Sequence, residues 1–287
     1  MNLFICTISF RHQLISIEEL ATWANRNHFQ GIELWGIHAK NLIEQPQYGR
    51  EWLQQQGLRT TMISDYLPLS ADANTLFDAT QQLVRLCKHW GSKKIRTFAG
   101  ETASANTSAS QRNLLIERLQ KVCDWLKDEE LNLVIEAHPN TYADNIQGIC
   151  CLIEQVNRDN FKLNFDVLHI WESGAEVEQA LQRLAPHVQH FHLKNISAFD
   201  NLDIFAPPNV YAPSGKRDAM VPLFEGALDC RAFFEALYLQ PHLQLNTVDA
   251  SLEWFGPQSK ATLARDRYLI RQIQQQFINT ATGQAAH

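Results

Sequence analysis

Apolar and polar positions alternate along this chain in two rhythms. Short runs rich in apolar and β-branched residues, each the length of one strand, precede longer stretches whose apolar residues return every third or fourth position. Eight such runs occur: Leu3–Ser9, Gly31–Trp35, Leu58–Ser64, Lys94–Phe98, Leu131–Ala137, Phe161–Phe165, Val188–Leu193 and Ala250–Trp254. Strands alternating with helices call for parallel pairing, and eight repeats are the number that closes a (β/α)8 TIM barrel.

The helical stretches carry start signals of their own. Ser16 with Glu19 reads as a capping box ahead of Leu20, Trp23 and Ala24, and Ser108 with Gln111 repeats it ahead of Leu115, Leu119, Val122 and Leu126. Those last four residues form one stripe facing a sheet. A final helix is expected over about Ser259–Thr280, with Leu263, Tyr268, Leu269, Ile273 and Phe277 on its inner face. No Gly/Ser-rich linker or charge block divides residues 1–287, which reads as a single domain. One connection breaks the rhythm: Ile196–Leu228 has no helical periodicity, contains Pro207, Pro208, Pro213 and Gly215, and mixes Phe199, Phe205 and Tyr211 with Lys216, Arg217 and Glu225. Loops of this length are usually functional or disordered, and the aromatic content suits a lid.

Composition narrows the function. With 45% hydrophobic residues the 287-residue chain can bury a full core. A net charge of -6, from 25 basic against 31 acidic residues, gives no drive toward nucleic acid or anionic lipid. The start, MNLFICTISFRHQ, lacks the pattern of a secretion signal, and no apolar run is long enough to span a bilayer, so a cytoplasmic protein is expected. The six cysteines show no paired C-x-x-C spacing and read as reduced structural thiols.

In a (β/α)8 barrel the working residues project from the C-terminal ends of the strands. Here those ends offer Glu33 and Trp35, then Ser64, Asp65 and Tyr66, then Arg96, Glu136 with His138, Asp166 with His169, His190 with His192 and Lys194, and finally Glu253. A carboxylate at the end of an apolar strand must be paired, protonated or bound to a cation. Closure of the barrel brings Glu136, Asp166 and Glu253 around one point with His192, and three oxygen donors plus one imidazole suit Mn2+, Mg2+, Co2+ or Zn2+ with positions open to substrate. Glu33 lies across the barrel and reads as a supporting or structural residue; His190 reads as a packed histidine one layer deeper.

These residues sit in strings that carry a family resemblance. EAHPNT (Glu136–Thr141), LNFDVLHIWESGA (Leu163–Ala175), HFHLKN (His190–Asn195) and SLEWFG (Ser251–Gly256) resemble the xylose-isomerase-like TIM barrels. CTISFRHQLIS (Cys6–Ser16), GIELWGIHA (Gly31–Ala39), TMISDYL (Thr61–Leu67), KIRTFAG (Lys94–Gly100) and MVPLFEG (Met220–Gly226) resemble the bacterial 3-dehydroshikimate dehydratases of petrobactin-type siderophore biosynthesis. The resemblance implies dehydration of 3-dehydroshikimate to protocatechuate. It also implies one divalent metal on Glu136, Asp166, His192 and Glu253, with His138, His169, Arg96, Tyr66 and Lys194 facing the substrate.

The substrate's chemistry assigns roles. Its C4 proton lies α to a ketone, so enolate formation is the difficult step, and a metal beside the oxygens is a Lewis acid for the charge that develops. His138 is the candidate base, His169 protonates or holds the departing hydroxyl, and Lys194 stabilises the enolate, although any of the three could be the base. Arg96 either grips the substrate carboxylate or pairs with Glu136; Tyr66 contacts substrate or is a pocket wall; Arg217, in the long connection, is a further substrate contact. Rival readings are a sugar or inositol isomerase, epimerase or dehydratase on the same scaffold, and a metal-bound ligand-binding module without catalysis.

Overall fold

The computed structural model describes residues 1–240, 243 and 247–284. Eight parallel strands close into a barrel: β1 (Asn2–Cys6), β2 (Gly31–Trp35), β3 (Arg59–Ser64), β4 (Lys94–Thr97), β5 (Asn132–Glu136), β6 (Phe161–Asp166), β7 (Val188–Leu193) and β8 (Asp249–Leu252). Each pairs with its neighbours in sequence, and β8 closes on β1 with Leu3 opposite Ala250. All eight expected strands form. The first is shorter than its apolar run because Thr7–Phe10 turns into a 3-10 helix.

Period-two alternation places the chemistry. Ile32, Leu34, Ile135, Phe165, Phe191 and Leu193 join the apolar layer under the helices. The positions between them, Glu33, Glu136, Asp166 and His192, are buried as well but turn inward, since Glu33 on β2 meets His192 on β7 across the barrel. Glu33 follows a register shift between β2 and β3 at Ile32/Glu33. Gly31 makes that approach feasible: its φ is +155°, and a Cβ there would lie 1.8 Å from the Arg59 carbonyl oxygen.

Helix starts follow their caps. Ser108 and Gln111 form the full reciprocal box, and Leu115, Leu119, Val122 and Leu126 are buried as their spacing requires. Ser16 Oγ accepts the Glu19 amide at 3.1 Å, but the Glu19 carboxylate turns to Lys260, so only half of that box exists. In the last helix, Ser259–Gln284, the buried stripe is Leu263, Ile270 and Ile273, while Tyr268 is 56% exposed. Tyr268 follows Leu263 by five residues, about 140° around the helix, which turns it to solvent.

The long connection is more ordered than its composition announces. A two-stranded antiparallel ribbon, Asn195–Ile196 with Met220–Val221, closes its base, and the Asn195 side-chain amide donates to the Leu223 and Leu228 carbonyls at 2.7 and 2.8 Å. Within it lie a 3-10 helix, Phe199–Phe205, and a short helix, Pro207–Tyr211, whose two leading prolines occupy positions where a helix needs no amide donor. Arg11 Nε donates to the Val210 carbonyl at 2.7 Å, tying this segment to the barrel rim.

Candidate active site

Four strand ends meet at His192 Nδ1. Glu136 Oε1 lies 3.1 Å from it, and Asp166 Oδ2 and Glu253 Oε1 each lie 3.7 Å away. Metal–ligand bonds of about 2.1 Å hold neighbouring ligand atoms roughly 3.0–3.4 Å apart, so the spacing is close to that of a coordination shell. Behind the ring, Nε2 sits 3.0 and 2.9 Å from the two Glu33 oxygens, one of which also accepts from Ser64 Oγ. A carboxylate accepts, so His192 Nε2–H donates to Glu33, which leaves Nδ1 facing the other three acids.

His190 lies one layer deeper. Its Nε2 is 2.8 Å from Ser251 Oγ and 3.3 Å from Glu33, and its Nδ1 is 3.3 Å from Lys94 Nζ. Lys94 in turn donates to Asp249 at 2.8 Å. This is a packed, hydrogen-bonded histidine, as its position on the strand suggests.

Charge explains the ionisation of the centre. Burial alone would push each carboxyl up and each base down. At Glu136 the Arg96 and His192 charges overcome burial and bring the carboxyl down to about 2; at Asp166, His169 and Lys194 do the same. Burial also opposes the charge on His192, yet Glu33, Glu253 and Glu136 hold its pKa well above the ordinary value. Lys194, against burial, is held up by Asp166, Glu253 and Glu136. Glu33, Glu136, Asp166 and Glu253 carry four negative charges against the permanent cations Arg96 and Lys194, leaving two for another cation to balance. The acids that hold a proton on His192 therefore fit a divalent ion in its stead, on Glu136, Asp166, His192 and Glu253. Lys194 bridges two of them, donating to Asp166 and, at 2.8 Å, to Glu253.

The remaining groups form the wall. His138, just past β5, packs its ring against Phe98 at 4.2 Å and His169 at 4.5 Å. Its Nδ1–H donates to the Pro139 carbonyl at 2.8 Å, which leaves Nε2 as the acceptor nitrogen. Burial and then the neighbouring His169 push the His138 pKa down to about 3, far from the ordinary histidine range near working pH. His169 lies in the first turn of the helix Val167–Glu172, with its amide capped by Asp166 Oδ1 at 3.1 Å. Arg96 Nε is 2.8 Å from Glu136 Oε2, the pairing that sequence left open. The contact is poorly aligned, so Arg96 Nε and Nη1 and Glu136 Oε2 make no hydrogen bond although all three are buried.

Tyr66 stacks over Arg96 and meets Tyr211 of the long connection, hydroxyl to hydroxyl, at 2.5 Å. With Phe205, Pro207, Val210 and Phe255, these residues line the cleft over Glu136, His138, His169, Lys194 and Glu253. Arg217 is placed elsewhere: its guanidinium donates to the carbonyls of Val210, Ala212 and Lys216 and lines no part of the cleft. Two contributors carry no sequence signal of their own. Glu172, 2.7 Å from His169 Nδ1, is visible only as an acid three residues on, and Tyr211 only as one aromatic among several in the connection.

Known proteins place this geometry. The sequence pattern described as "Xylose isomerase-like TIM barrel" matches residues 21–273. The chain is 42% identical over 276 residues to the 3-dehydroshikimate dehydratase of Bacillus anthracis, covering 94% of this chain and 96% of that one. The crystal structure of a probable 3-DHS dehydratase involved in petrobactin synthesis, from the same organism, superposes with a TM-score of 0.88 at 40% identity over 94% of this chain and 99% of that one. A protein named IOLI, crystallised with a zinc atom, has a TM-score of 0.73 at 15% identity over 98% and 99% of the two chains, a likeness of fold alone. The resemblance read in the sequence strings thus holds along nearly the whole length, and the chain belongs to the xylose isomerase-like TIM barrel family.

Proposed function

We propose that this chain dehydrates 3-dehydroshikimate to protocatechuate, with one divalent cation (Mn2+, Mg2+, Co2+ or Zn2+) held by Glu136, Asp166, His192 and Glu253. The observation that carries the reading is an intact acid-rich centre in a chain 42% identical to a protein named for that reaction. The substrate loses the C5 hydroxyl and the C4 proton as water, and the dienone that remains tautomerises to the catechol. When bound, the cation supplies a Lewis acid where the ketone oxygen gains negative charge as the enolate forms.

The chain's own residues do the rest. His138 Nε2, unprotonated at neutral pH, takes the C4 proton. His169 protonates or holds the departing hydroxyl. Lys194, kept charged by the acids around it, stabilises the enolate. The unaligned guanidinium donors of Arg96 suit the planar substrate carboxylate, and the Tyr66 ring packs over them. Residues 196–228 serve as the lid, with Phe205 and Tyr211 keeping water from the reacting carbons.

The test is to incubate purified, cation-loaded protein with 3-dehydroshikimate and identify the product by chromatography. Formation of a catechol with new near-ultraviolet absorbance is expected. An isomer of the substrate, or no product with any of the four cations, rejects the reading.

A further inference from the structure

Glu172 has no part in the chemistry above, yet its carboxylate lies beside one of the histidines. It ends the six-residue helix Val167–Glu172, three positions after His169, so the two side chains share a face. An acid at a helix C-terminus faces the negative end of the dipole, and helix stability gives no reason for it there. His169 is buried, with Nδ1 2.7 Å from Glu172 Oε2. Because a carboxylate accepts, Nδ1 carries the proton. Nε2 is 3.8 Å from Asp166 Oδ2, too far for a hydrogen bond, and the ring lines the cleft. Packing allows the ring little freedom, with His138 at 4.5 Å and Phe205 edge-on at 6.1 Å.

We infer that Glu172 is a positioning residue, which holds His169 with Nδ1 protonated and Nε2 turned to the departing hydroxyl, so that Nε2 holds that hydroxyl by accepting its hydrogen rather than by giving it a proton; this rests on the dehydratase reading. His138 is set the same way by the Pro139 carbonyl, so both histidines present Nε2 to the cleft. One is oriented by backbone, the other by a replaceable side chain. That difference makes the second one testable.

The experiment uses the full chain loaded with Mg2+, which leaves ring signals sharp, and compares wild type, Glu172→Ala and Glu172→Gln. The 15N spectrum of the His169 ring, assigned against His169→Asn, should report Nδ1–H in wild type and in Glu172→Gln, whose amide oxygen still accepts. In Glu172→Ala that tautomer should give way to a mixture. Steady-state turnover of 3-dehydroshikimate should fall roughly 10- to 100-fold in kcat for Glu172→Ala, the usual cost of losing the outer partner of an active-site histidine, with KM, bound Mg2+ and Tm little changed. Glu172→Gln should recover most of kcat. The inference is overturned if Glu172→Ala keeps the wild-type ring spectrum or kcat, or if Glu172→Gln is as impaired as Glu172→Ala. If wild type forms no catechol, the dehydratase reading falls and the kinetic half with it, while the ring spectrum still decides whether Glu172 holds His169.

Discussion

Both nitrogens of His192 are committed, Nε2 to Glu33 and Nδ1 to the point shared by Glu136, Asp166 and Glu253. The acids were legible in sequence because a charged group ending an apolar strand must find a partner. Glu33 was legible as a support because it lies on a strand on the far side of the barrel. Arg217 lies outside the cleft, its donors going to loop carbonyls, and its connection lacks the periodicity that would have assigned it a face. His138 shows a further limit, since its residue type and position are plain in sequence but its low proton affinity arises from burial and from His169, which only folding brings near. His138→Asn keeps a polar group but removes the nitrogen that would accept the C4 proton. It should retain the cation while kcat falls roughly 10²- to 10⁴-fold. Stopped-assay kinetics with parallel metal analysis measures both, and a metal-loaded variant within a few-fold of wild type passes the role of base to His169 or Lys194.

Strands and capped helices were the elements most legible in advance, because alternation and the Ser108/Gln111 box are local rules. The short helices at Phe199–Phe205 and Pro207–Tyr211 were not, being too brief to show a period. The connection that holds them is anchored from the last helix by Asp266, whose Oδ2 accepts the Leu223 amide at 3.1 Å. Burial pushes the Asp266 pKa from 3.8 up to about 7, against the pull of the Leu223 amide and Arg265. A folded-state pKa above the unfolded value means that the folded chain holds the proton longer. The stability this lends is fully present below about pH 4 and is lost as pH rises through about 7, by no more than about 4 kcal/mol. Asp266→Asn keeps an oxygen for the Leu223 amide and cannot ionise. Urea unfolding at pH 5 and pH 8 should show a smaller loss in this variant than in wild type, and it should be the more stable protein at pH 8. Equal losses in the two proteins would contradict the assignment.

At the scale of the whole molecule, closure does what no single strand can. Residues as distant in sequence as Glu33 and Glu253 come to one end of one barrel because eight parallel strands must pair in a ring, with β8 returning to β1. That count was readable from eight apolar runs. The excess of acid over the permanent cations Arg96 and Lys194, met in part by the proton those acids hold on His192, belongs to the assembled barrel, and it is the reason a divalent ion is proposed there. Among the described residues no helix is long and apolar enough to cross a membrane.

The central claim is that this one centre both holds the ion and dehydrates 3-dehydroshikimate. The direct test strips the protein with chelator, then titrates a divalent cation back while bound metal and catechol formation are followed together. The account predicts one ion per chain, turnover rising in step with occupancy, and loss of both in Asp166→Ala and in Glu253→Ala. Full turnover by verified metal-free protein, or unchanged metal binding in those two variants, would contradict it.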